Sequence, residues 1–532
     1  MNMMTYTDPQ FLFIFLPAVL ILYNLFPKKH RAKILLLASY IFFAIISKKL
    51  IVYIILATGI IYGCGLWLSR LQNKRDEKLK DAEKEQKKAI KEKFTKKQRR
   101  VTVLSALILL GILVVLKYSA FICTNLNSLF DTLDSGIKIK VPHFLMPIGI
   151  SFYTLQAISY VVDVYKGKIK ADKNIGRLAL FLSFFPQIIE GPICRYEETA
   201  ERLWEGNRTT YISLTQGGQR ILFGLMKKYI IVDRVNPFIL EVFNNYGHHN
   251  GGMIAAAMVL YTLQLYMDFS GTMDIAIGVG EMFGVKIPEN FKQPFFSRTV
   301  SEFWTRWHIT LGAFFRDYIY YPISLTKRCK NLTSAGRKKL GNYYGPMLAS
   351  TIALFSVWLC NGIWHGSDWN YIFFGLYHFT IIFIGRMIEP PVKWFNKKLK
   401  INSEAFWYKF LQIIRTVILV FIGELFFRAN GLKAGLEMFW KMITNFSLKP
   451  IIEKTILDFG VDKYDFMIVG VVVIAIFIIS LLKEKGINVR EAIAKRNIVL
   501  RWSLYYILIL SIIIFGCYGI GVTPLDPMYA NF

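Results

Sequence analysis

Long apolar runs separated by short polar segments dominate the chain. A run of about 20 apolar residues matches the hydrocarbon core of a bilayer, so each run is a candidate transmembrane helix. The pattern predicts an all-α, polytopic integral membrane protein with roughly 11 to 13 transmembrane helices. The predicted spans are 9–26, 34–46, 50–68, 101–123, 145–165, 178–189, 214–232, 253–266, 347–363, 371–388, 410–427, 466–482 and 500–518.

The charges between the apolar runs predict the orientation of the chain. The segment 74–100 is rich in Lys and Arg, mixes them with acidic residues and contains no Gly or Pro, which is typical of a solvated helix. Cytoplasmic loops carry an excess of Lys and Arg, so an N-terminus outside the cell places this segment in the cytoplasm. The same orientation leaves Lys48 and Lys49 in a short outer loop.

Composition and charge exclude several other classes of protein. The chain has 532 residues, 54% of them hydrophobic, and a net charge of +29. In a soluble protein this charge would indicate nucleic-acid binding, but here the basic residues lie between membrane spans and no nucleic-acid module is present. The six cysteines are scattered and form no CxxC pair, so neither a disulfide framework nor a zinc site is predicted.

One stretch, 264–321, carries ionisable side chains inside an apolar context. Asp268, Asp274, Arg306 and His308 all lie in it. Ionisable groups are costly at membrane depth, so they usually line a cavity, pair with one another or do chemistry. Asp268 follows an apolar run and is followed by Phe269, Ser270 and a glycine, which predicts a helix break at a polar cavity wall. An ordinary interfacial helix end is the alternative.

The part of this stretch from 302 to 317 predicts an aromatic and basic amphipathic helix. On it Glu302 and Arg306 are four residues apart and form a favourable pair. Two interpretations of His308 remain open at this point. It is either a residue of the active site or part of a helix that lies at the lipid headgroups.

A second candidate site follows the apolar run 347–363. There His365 is surrounded by Asn361, Gly366 and Asp368. A neutral imidazole has a pKa close to neutrality, which makes His365 a candidate general base. His378 lies inside the next apolar run and is either part of the same site or a hydrogen-bonding contact between helices.

The motifs of common soluble enzymes are absent from the sequence. It contains no Walker motif, GxGxxG, HExxH or GxSxG. The histidines do not have the spacing of metal ligands. We therefore expect no metal site and no tightly bound cofactor.

Four stretches together resemble the membrane-bound O-acyltransferase family. Within that family the chain is most similar to the bacterial alginate O-acetylation branch, to which the teichoic acid D-alanyl transferases are related. The stretches are LMPIGISFYTLQAISYVVDVY at 145–165, FFPQIIEGPICRY at 184–196, the run from QLYMDFSG at 264 through WTRWH to RDYIYYP at 322, and WHGSDWNYIFFGLYH at 364–378.

The resemblance implies a ring of helices around a central tunnel that crosses the membrane. His365 matches the family's invariant histidine and His308 a second histidine of the bacterial branch. We expect His365 to be the general base and His308 to position the donor or polarise its carbonyl, although the two roles can be exchanged. Further candidates for the tunnel wall are Asp268, Ser270, Asp274, Arg306, Asn361, Asp368 and His378.

The resemblance also suggests a division of the chain into four parts. Residues 1–70 form N-terminal transmembrane helices and 71–100 a charged cytoplasmic helix. The catalytic core comprises 101–428. An extramembrane loop and the C-terminal transmembrane helices comprise 429–532.

The resemblance implies a multi-pass enzyme of a bacterial plasma membrane. It would move acetyl groups from cytoplasmic acetyl-CoA towards hydroxyls of an exported cell-surface polysaccharide. An extracytoplasmic partner of the SGNH esterase-like type would complete the transfer. One alternative is transfer of D-alanine or another acyl group from a carrier protein to teichoic acid. Another is a polysaccharide or lipid transporter without covalent chemistry.

Overall fold

The fold is helical throughout the part of the chain that the computed structural model describes, residues 4–518 and residue 525. Within these residues there is no β-strand, and an isolated antiparallel bridge joins Phe291 to Trp307. The all-α prediction is confirmed. Helices suit the apolar runs because a helix satisfies its backbone N–H and C=O groups within one segment, as a bilayer requires.

The described residues form two compact units. Unit 1 comprises the chain up to residue 221 together with 275–288, and unit 2 comprises 222–274 and the chain from 289. Helices α8 and α10 each run from one unit into the other. The α-helices of the first part of the chain are α1 Leu16–Leu25, α2 Lys28–Ser47, α3 Ile51–Lys80, α4 Lys84–Thr132, α5 Ile150–Lys166, α6 Ile175–Ser183, α7 Tyr196–Glu205 and α8 Tyr211–Met226.

The later helices build unit 2. They are α9 Asp233–Asn244, α10 Gly251–Met282, α11 Val300–Arg306, α12 Ile309–Phe315, α13 Tyr321–Ser324, α14 Lys327–His365, α15 Trp369–Lys398, α16 Phe406–Arg428, α17 Leu432–Thr444, α18 Lys449–Ile452, α19 Lys463–Glu484, α20 Val489–Ala494 and α21 Ile498–Phe515. Three π-helical turns are Gln10–Phe15, Lys227–Val232 and Arg316–Tyr320. Four 3₁₀ turns are Lys48–Leu50, Tyr246–His248, Pro294–Phe296 and Thr455–Asp458.

Eight helical segments of the described residues are long and apolar enough to cross a membrane. One of them, Lys28–Lys80, holds two of the predicted spans, while Gln10–Leu25 is apolar but shorter. The predicted spans 145–165 and 178–189 fall on α5 and α6, which have 17 and 9 residues. The chain is therefore a multi-pass membrane protein, in which some apolar runs form helices shorter than a full span.

The charged segment 71–100 is not a separate helix, contrary to the prediction. It forms the last turns of α3 and the first turns of α4, with residues 81–83 between them. Because neither Gly nor Pro interrupts it, both transmembrane helices continue beyond their apolar runs. Phe94 and Gln98 are buried, whereas most of the charged side chains are exposed.

The orientation of this segment can be tested by cysteine labelling. In a variant without the six native cysteines, a cysteine at Gln86 should react with an impermeant thiol reagent only after the cells are opened, because Lys- and Arg-rich loops stay in the cytoplasm. A cysteine at Lys49 is the matched control and should react in intact cells. Labelling at Gln86 in intact cells would reverse the topology and the side from which the donor arrives.

An aromatic cluster forms the centre of the N-terminal part of unit 1. The Tyr6 and Phe11 rings lie 5.4 Å apart and the Phe11 and Phe42 rings 5.6 Å apart, centroid to centroid. The Tyr6 hydroxyl donates to the carbonyl oxygen of Phe185 at 2.8 Å and so satisfies its only polar group. Aromatic pairs of this kind stabilise a core beyond the area that they bury.

The α14–α15 hairpin of unit 2 depends on two glycines. A Cβ atom at Gly375 would lie 2.3 Å from the Trp358 carbonyl oxygen, and one at Gly362 would lie 2.5 Å from that of Tyr371. These distances are shorter than any Cβ contact, so only glycine allows the two helices to approach this closely. The close approach places His365, the last residue of α14, against α15.

Candidate active site

The first histidine, His308, lies at a sharp break between two short helices. It connects α11 to α12 and has φ 46° and ψ 52°, in the left-handed region. A residue with a Cβ atom is strained there by about 1–3 kcal/mol, so the surrounding contacts must hold it in place. The prediction of one amphipathic helix across 302–317 is wrong for this reason, and a π-helical turn at Arg316–Tyr320 follows.

The side chain of His308 is buried, with 2% of its surface exposed. Its ring lies 4.8 Å from that of Phe269 and 5.8 Å from that of Trp364, centroid to centroid. Burial holds the pKa of His308 well below its ordinary value, because a charged imidazolium would lose its hydration. The ring therefore does not lie on an exposed interfacial face.

Asn290, which the sequence analysis did not consider, contacts His308 directly. Its Oδ1 lies 3.3 Å from His308 Nδ1. The same oxygen accepts hydrogen bonds from the backbone N–H of Thr310 at 3.0 Å and from its hydroxyl at 2.9 Å. An amide does not titrate, so a search for ionisable groups overlooks Asn290. The sequence feature that could have indicated it is its position in a polar stretch shortly before WTRWH.

The second histidine, His365, is also buried and is packed among aromatic rings. Its ring centroid lies 5.0 Å from that of Trp364, 5.8 Å from that of Phe374 and 5.2 Å from that of Phe427. The following residue is Gly366, where a Cβ atom would lie 2.1 Å from the ring of Tyr371. The glycine of the Trp-His-Gly motif is therefore required by the packing that holds His365.

The structure brings the two histidines together across more than fifty residues of chain. Trp364 contacts both rings, at 5.8 Å from His308 and 5.0 Å from His365. The two rings are thus separated by no more than the sum of these distances. This is less than the roughly 15 Å beyond which shared acid–base chemistry would be excluded.

Asp268, Ser270 and Asp274 lie on α10, which runs unbroken from Gly251 to Met282, so the predicted helix break at Ser270 is wrong. Two buried lysines provide the polar partners of these three side chains. Lys228 Nζ lies 2.9 Å from Asp268 Oδ1, while Lys227 Nζ lies 2.6 Å from Asp274 Oδ2 and 3.0 Å from Ser270 Oγ. We call these five side chains, with Asp233, the lysine cluster.

Asp233 completes the lysine cluster from the start of α9. Its Oδ1 lies 3.5 Å from Lys228 Nζ and accepts a hydrogen bond from the Leu525 backbone N–H at 3.2 Å. The Leu525 carbonyl oxygen accepts from Lys228 Nζ at 2.7 Å. The lysines and Asp233 were missed by the sequence analysis because they lie within or beside an apolar run that was interpreted only as a span. Asp268 binds Lys228, whereas its neighbour Phe269 contacts His308.

We expect the loss of Lys228 from the lysine cluster to lower the stability of the folded protein strongly. Replacing Lys228 by Met leaves the Asp268 and Asp233 carboxylates buried without their cation, which costs about 3–5 kcal/mol. We expect a clearly lower midpoint of thermal unfolding in detergent. The matched control is Lys393→Met, because Lys393 forms an exposed pair with Glu389 at 2.6 Å and such pairs contribute about 0–1 kcal/mol. Equal midpoints for both variants would contradict the assignment.

The remaining candidates are distributed around the two histidines. Asn361 is buried one turn before His365 on α14. The fully buried His378 accepts a hydrogen bond from Trp304 Nε1 at its Nδ1, at 3.3 Å, which is the predicted contact between helices. Asp368 is exposed and accepts from the Trp369 N–H at the start of α15, at 2.5 Å.

Arg306 belongs to a network of charges and not to the histidine pair. Its guanidinium lies 2.8 Å from Glu302, which is the predicted i,i+4 pair, and 2.9 Å from Glu484. It also donates to the Gln293 carbonyl oxygen at 3.4 Å. These contacts connect α11 to α19, so a role of Arg306 in the tunnel wall stays a prediction.

Comparisons with known proteins identify the family of the chain. The profile of the membrane-bound O-acyltransferase family matches residues 168–336. The chain is 32% identical to the "Probable alginate O-acetylase" of Pseudomonas syringae pv. tomato over 83% of this chain and 75% of the relative. It is 32% identical to the "Teichoic acid D-alanyltransferase" of Bacillus subtilis over 53% of this chain and 69% of the relative. It is 29% identical to the "Peptidoglycan O-acetyltransferase" of Helicobacter pylori over 62% of this chain and 61% of the relative.

The extent of these matches, and the convergence of the two histidines of WTRWH and Trp-His-Gly in one buried site, lead to a single classification. The chain belongs to the membrane-bound O-acyltransferase family and is an integral membrane acyltransferase.

Proposed function

We propose that this enzyme transfers acetyl groups from cytoplasmic acetyl-CoA, across the membrane, to hydroxyls that lead to an exported cell-surface polysaccharide. The observation that carries the proposal is the pair of buried histidines on Trp364. Their convergence supplies two imidazoles where a thioester carbonyl and a hydroxyl can meet.

The choice of an acetyl group rests on the extent of similarity. Relatives named alginate O-acetylase match 83% of the chain, whereas relatives named teichoic acid D-alanyltransferase match 53%. The match to the first group is therefore the more extensive of the two. This supports an acetyl donor and a polysaccharide acceptor.

The chemistry requires a base and a polarising group. The hydroxyl oxygen forms a bond to the carbonyl carbon, the carbon–sulfur bond breaks, and the hydroxyl proton passes through an imidazole to the leaving thiolate. A second imidazole or backbone N–H groups stabilise the charge that develops on the carbonyl oxygen. His365 and His308 can take these two roles in either order. Both are buried, so water competes little with the acceptor.

The final acceptor lies outside the cell, and a second protein is proposed to reach it. An extracytoplasmic partner of the SGNH esterase-like type would take the acetyl group and place it on the polysaccharide. D-alanyl transfer from a carrier protein to teichoic acid is the second candidate, favoured by the match to the Bacillus subtilis relative. The transporter alternative is not retained, because the chain belongs to a family of acyltransferases.

The proposal is tested by incubating the purified protein with radiolabelled acetyl-CoA and, in parallel, with a carrier protein loaded with D-alanine. We expect release of free thiol and transfer of label from acetyl-CoA. A variant His248→Ala, which changes an exposed histidine in the 3₁₀ turn, is the matched control and should retain this activity. Turnover of the loaded carrier alone would establish the second candidate, and turnover of neither donor by folded protein would contradict both.

A further inference from the structure

We propose that Asn290 is a positioning residue that holds His308 as the neutral imidazole with its proton on Nδ1, so that His308 acts as the proton acceptor of the site through Nε2. The inference deepens the proposed function and rests on it. It decides between the two roles that the sequence and the family leave interchangeable.

The hydrogen-bond partners of Asn290 fix the orientation of its amide. Its Oδ1 faces the backbone N–H of Thr310 at 3.0 Å, and a backbone N–H can only donate. The Thr310 hydroxyl donates to the same atom at 2.9 Å. The other amide atom, Nδ2, donates to the sulfur of Met273 at 3.4 Å. The atom that faces Thr310 is therefore the oxygen, and a flipped amide would oppose two donors.

The oriented amide in turn fixes the tautomer of His308. Its Nδ1 lies 3.3 Å from this same oxygen, which is an acceptor, so Nδ1 must carry the hydrogen. A neutral imidazole has one N–H, and the other nitrogen then offers a lone pair. That nitrogen is Nε2, and an atom with a lone pair can take a proton but cannot polarise a carbonyl oxygen.

The surroundings of His308 disfavour a doubly protonated ring as its resting form. His308 is buried and packed by Phe269 of α10 and Trp364 of α14, both of which are uncharged. His365, the other imidazole of the site, also contacts Trp364. The charged groups on the adjacent part of α10, Asp268 and Asp274, are paired with Lys228 and Lys227. Burial among uncharged rings therefore favours the neutral imidazole as the resting form of His308.

Backbone hydrogen bonds around Asn290 hold its amide and the His308 ring in these positions. Asn290 accepts a hydrogen bond from the Ile309 N–H at its own carbonyl, at 3.0 Å, and Lys292 donates to the Arg306 carbonyl at 2.9 Å. Phe291 and Trp307 form the antiparallel bridge between these two bonds. These contacts stabilise the left-handed conformation of His308 and fix the position of the Asn290 amide beside Nδ1.

The proton therefore moves along a defined route. The acceptor hydroxyl gives its proton to Nε2 of His308 while its oxygen bonds to the carbonyl carbon. The carbon–sulfur bond breaks, and the same proton then passes from Nε2 to the thiolate. Polarisation of the carbonyl oxygen is left to His365 and to backbone donors.

The test uses Asn290→Asp in the full-length protein. The carboxylate keeps an oxygen for Thr310, so the fold should persist, but its charge stabilises the imidazolium of His308. Because only neutral His308 can accept a proton, the acid limb of the pH profile of kcat/KM should move to higher pH, by about one to three pH units. The control is Thr310→Val, which removes one donor to the same oxygen without adding charge and should leave the limb where it is.

A second measurement needs no substrate and separates this inference from the proposed function. In protein labelled with ¹⁵N-histidine, the His308 signals are identified by their loss in His308→Gln, and the protonated nitrogen is read directly from their shifts. We expect Nδ1 to be protonated in the wild type. A proton on Nε2, or an unmoved acid limb in folded Asn290→Asp protein, would overturn the inference even if acetyl transfer is confirmed.

Discussion

Replacing His365 by alanine is expected to reduce acyl transfer by about 10²-fold or more, the usual effect of removing an acid–base or charge-stabilising group. The physical reason is that His365 is one of the two imidazoles that contact Trp364, and the transfer needs both a proton acceptor and a group that polarises the carbonyl. The measurement is the rate of thiol release from labelled acetyl-CoA, with protein concentration corrected for the folded fraction.

The effect of His365→Ala on turnover must be separated from its effect on the packing around the ring. Phe374 and Phe427 contact His365, so alanine leaves space between them and lowers stability to some extent. His365→Gln fills more of that space and is the matched control for volume, with the same expected loss of turnover. If either variant kept more than about a tenth of the wild-type rate, His365 would take no direct part in the transfer, neither as a proton acceptor nor in polarising the carbonyl oxygen. Loss of folded protein in both would indicate a structural role.

Replacing His308 by alanine is expected to lower turnover by a similar factor of about 10² or more, because the two histidines serve the same transfer. The double variant lacking both rings should lose little more than either single variant, since residues that act as a unit are strongly non-additive. Single-turnover rates of the three variants measure this directly.

A purely structural role of His308 would give a different result in the double variant. If its contribution were only to hold the strained turn between α11 and α12, the effects of His308→Ala and His365→Ala would multiply in the double variant. Unfolding midpoints would then fall with His308→Ala in proportion to the loss of activity. Additive effects on the logarithm of the rate would therefore indicate that the two residues act independently of each other.

Much of the membrane architecture follows from hydropathy alone. The apolar runs predict spans that lie within α2, α3, α4, α14, α15 and α16, and the assignment to an all-α membrane protein is confirmed. Hydropathy could not predict that α5 and α6 are short, because it measures the length of an apolar run and not the length of the helix inside it. The Ser-Gly pair at Ser270 predicted a helix break there, whereas the structure has the break at His308.

The break shows how tertiary contacts override local pattern. From Glu302 to Arg316 the sequence has the periodicity of one amphipathic helix. The chain turns sharply at His308 because Asn290 and Phe291, more than ten residues earlier, pair with the turn and offset the cost of its left-handed conformation. The residue pattern within 302–317 contains no information about those partners, because they lie outside the segment.

The sequence by itself determined the class of the protein, its family, and the two histidines, because apolar run length, charge distribution and short motifs are local properties of the chain. Only the tertiary structure decided which polar groups meet. Lys227 and Lys228 reach α10, Trp364 joins the two histidines, and Asn290 faces Nδ1 of His308. Each of these is a contact between distant segments, fixed by how the helices pack and by the need of buried polar groups for partners.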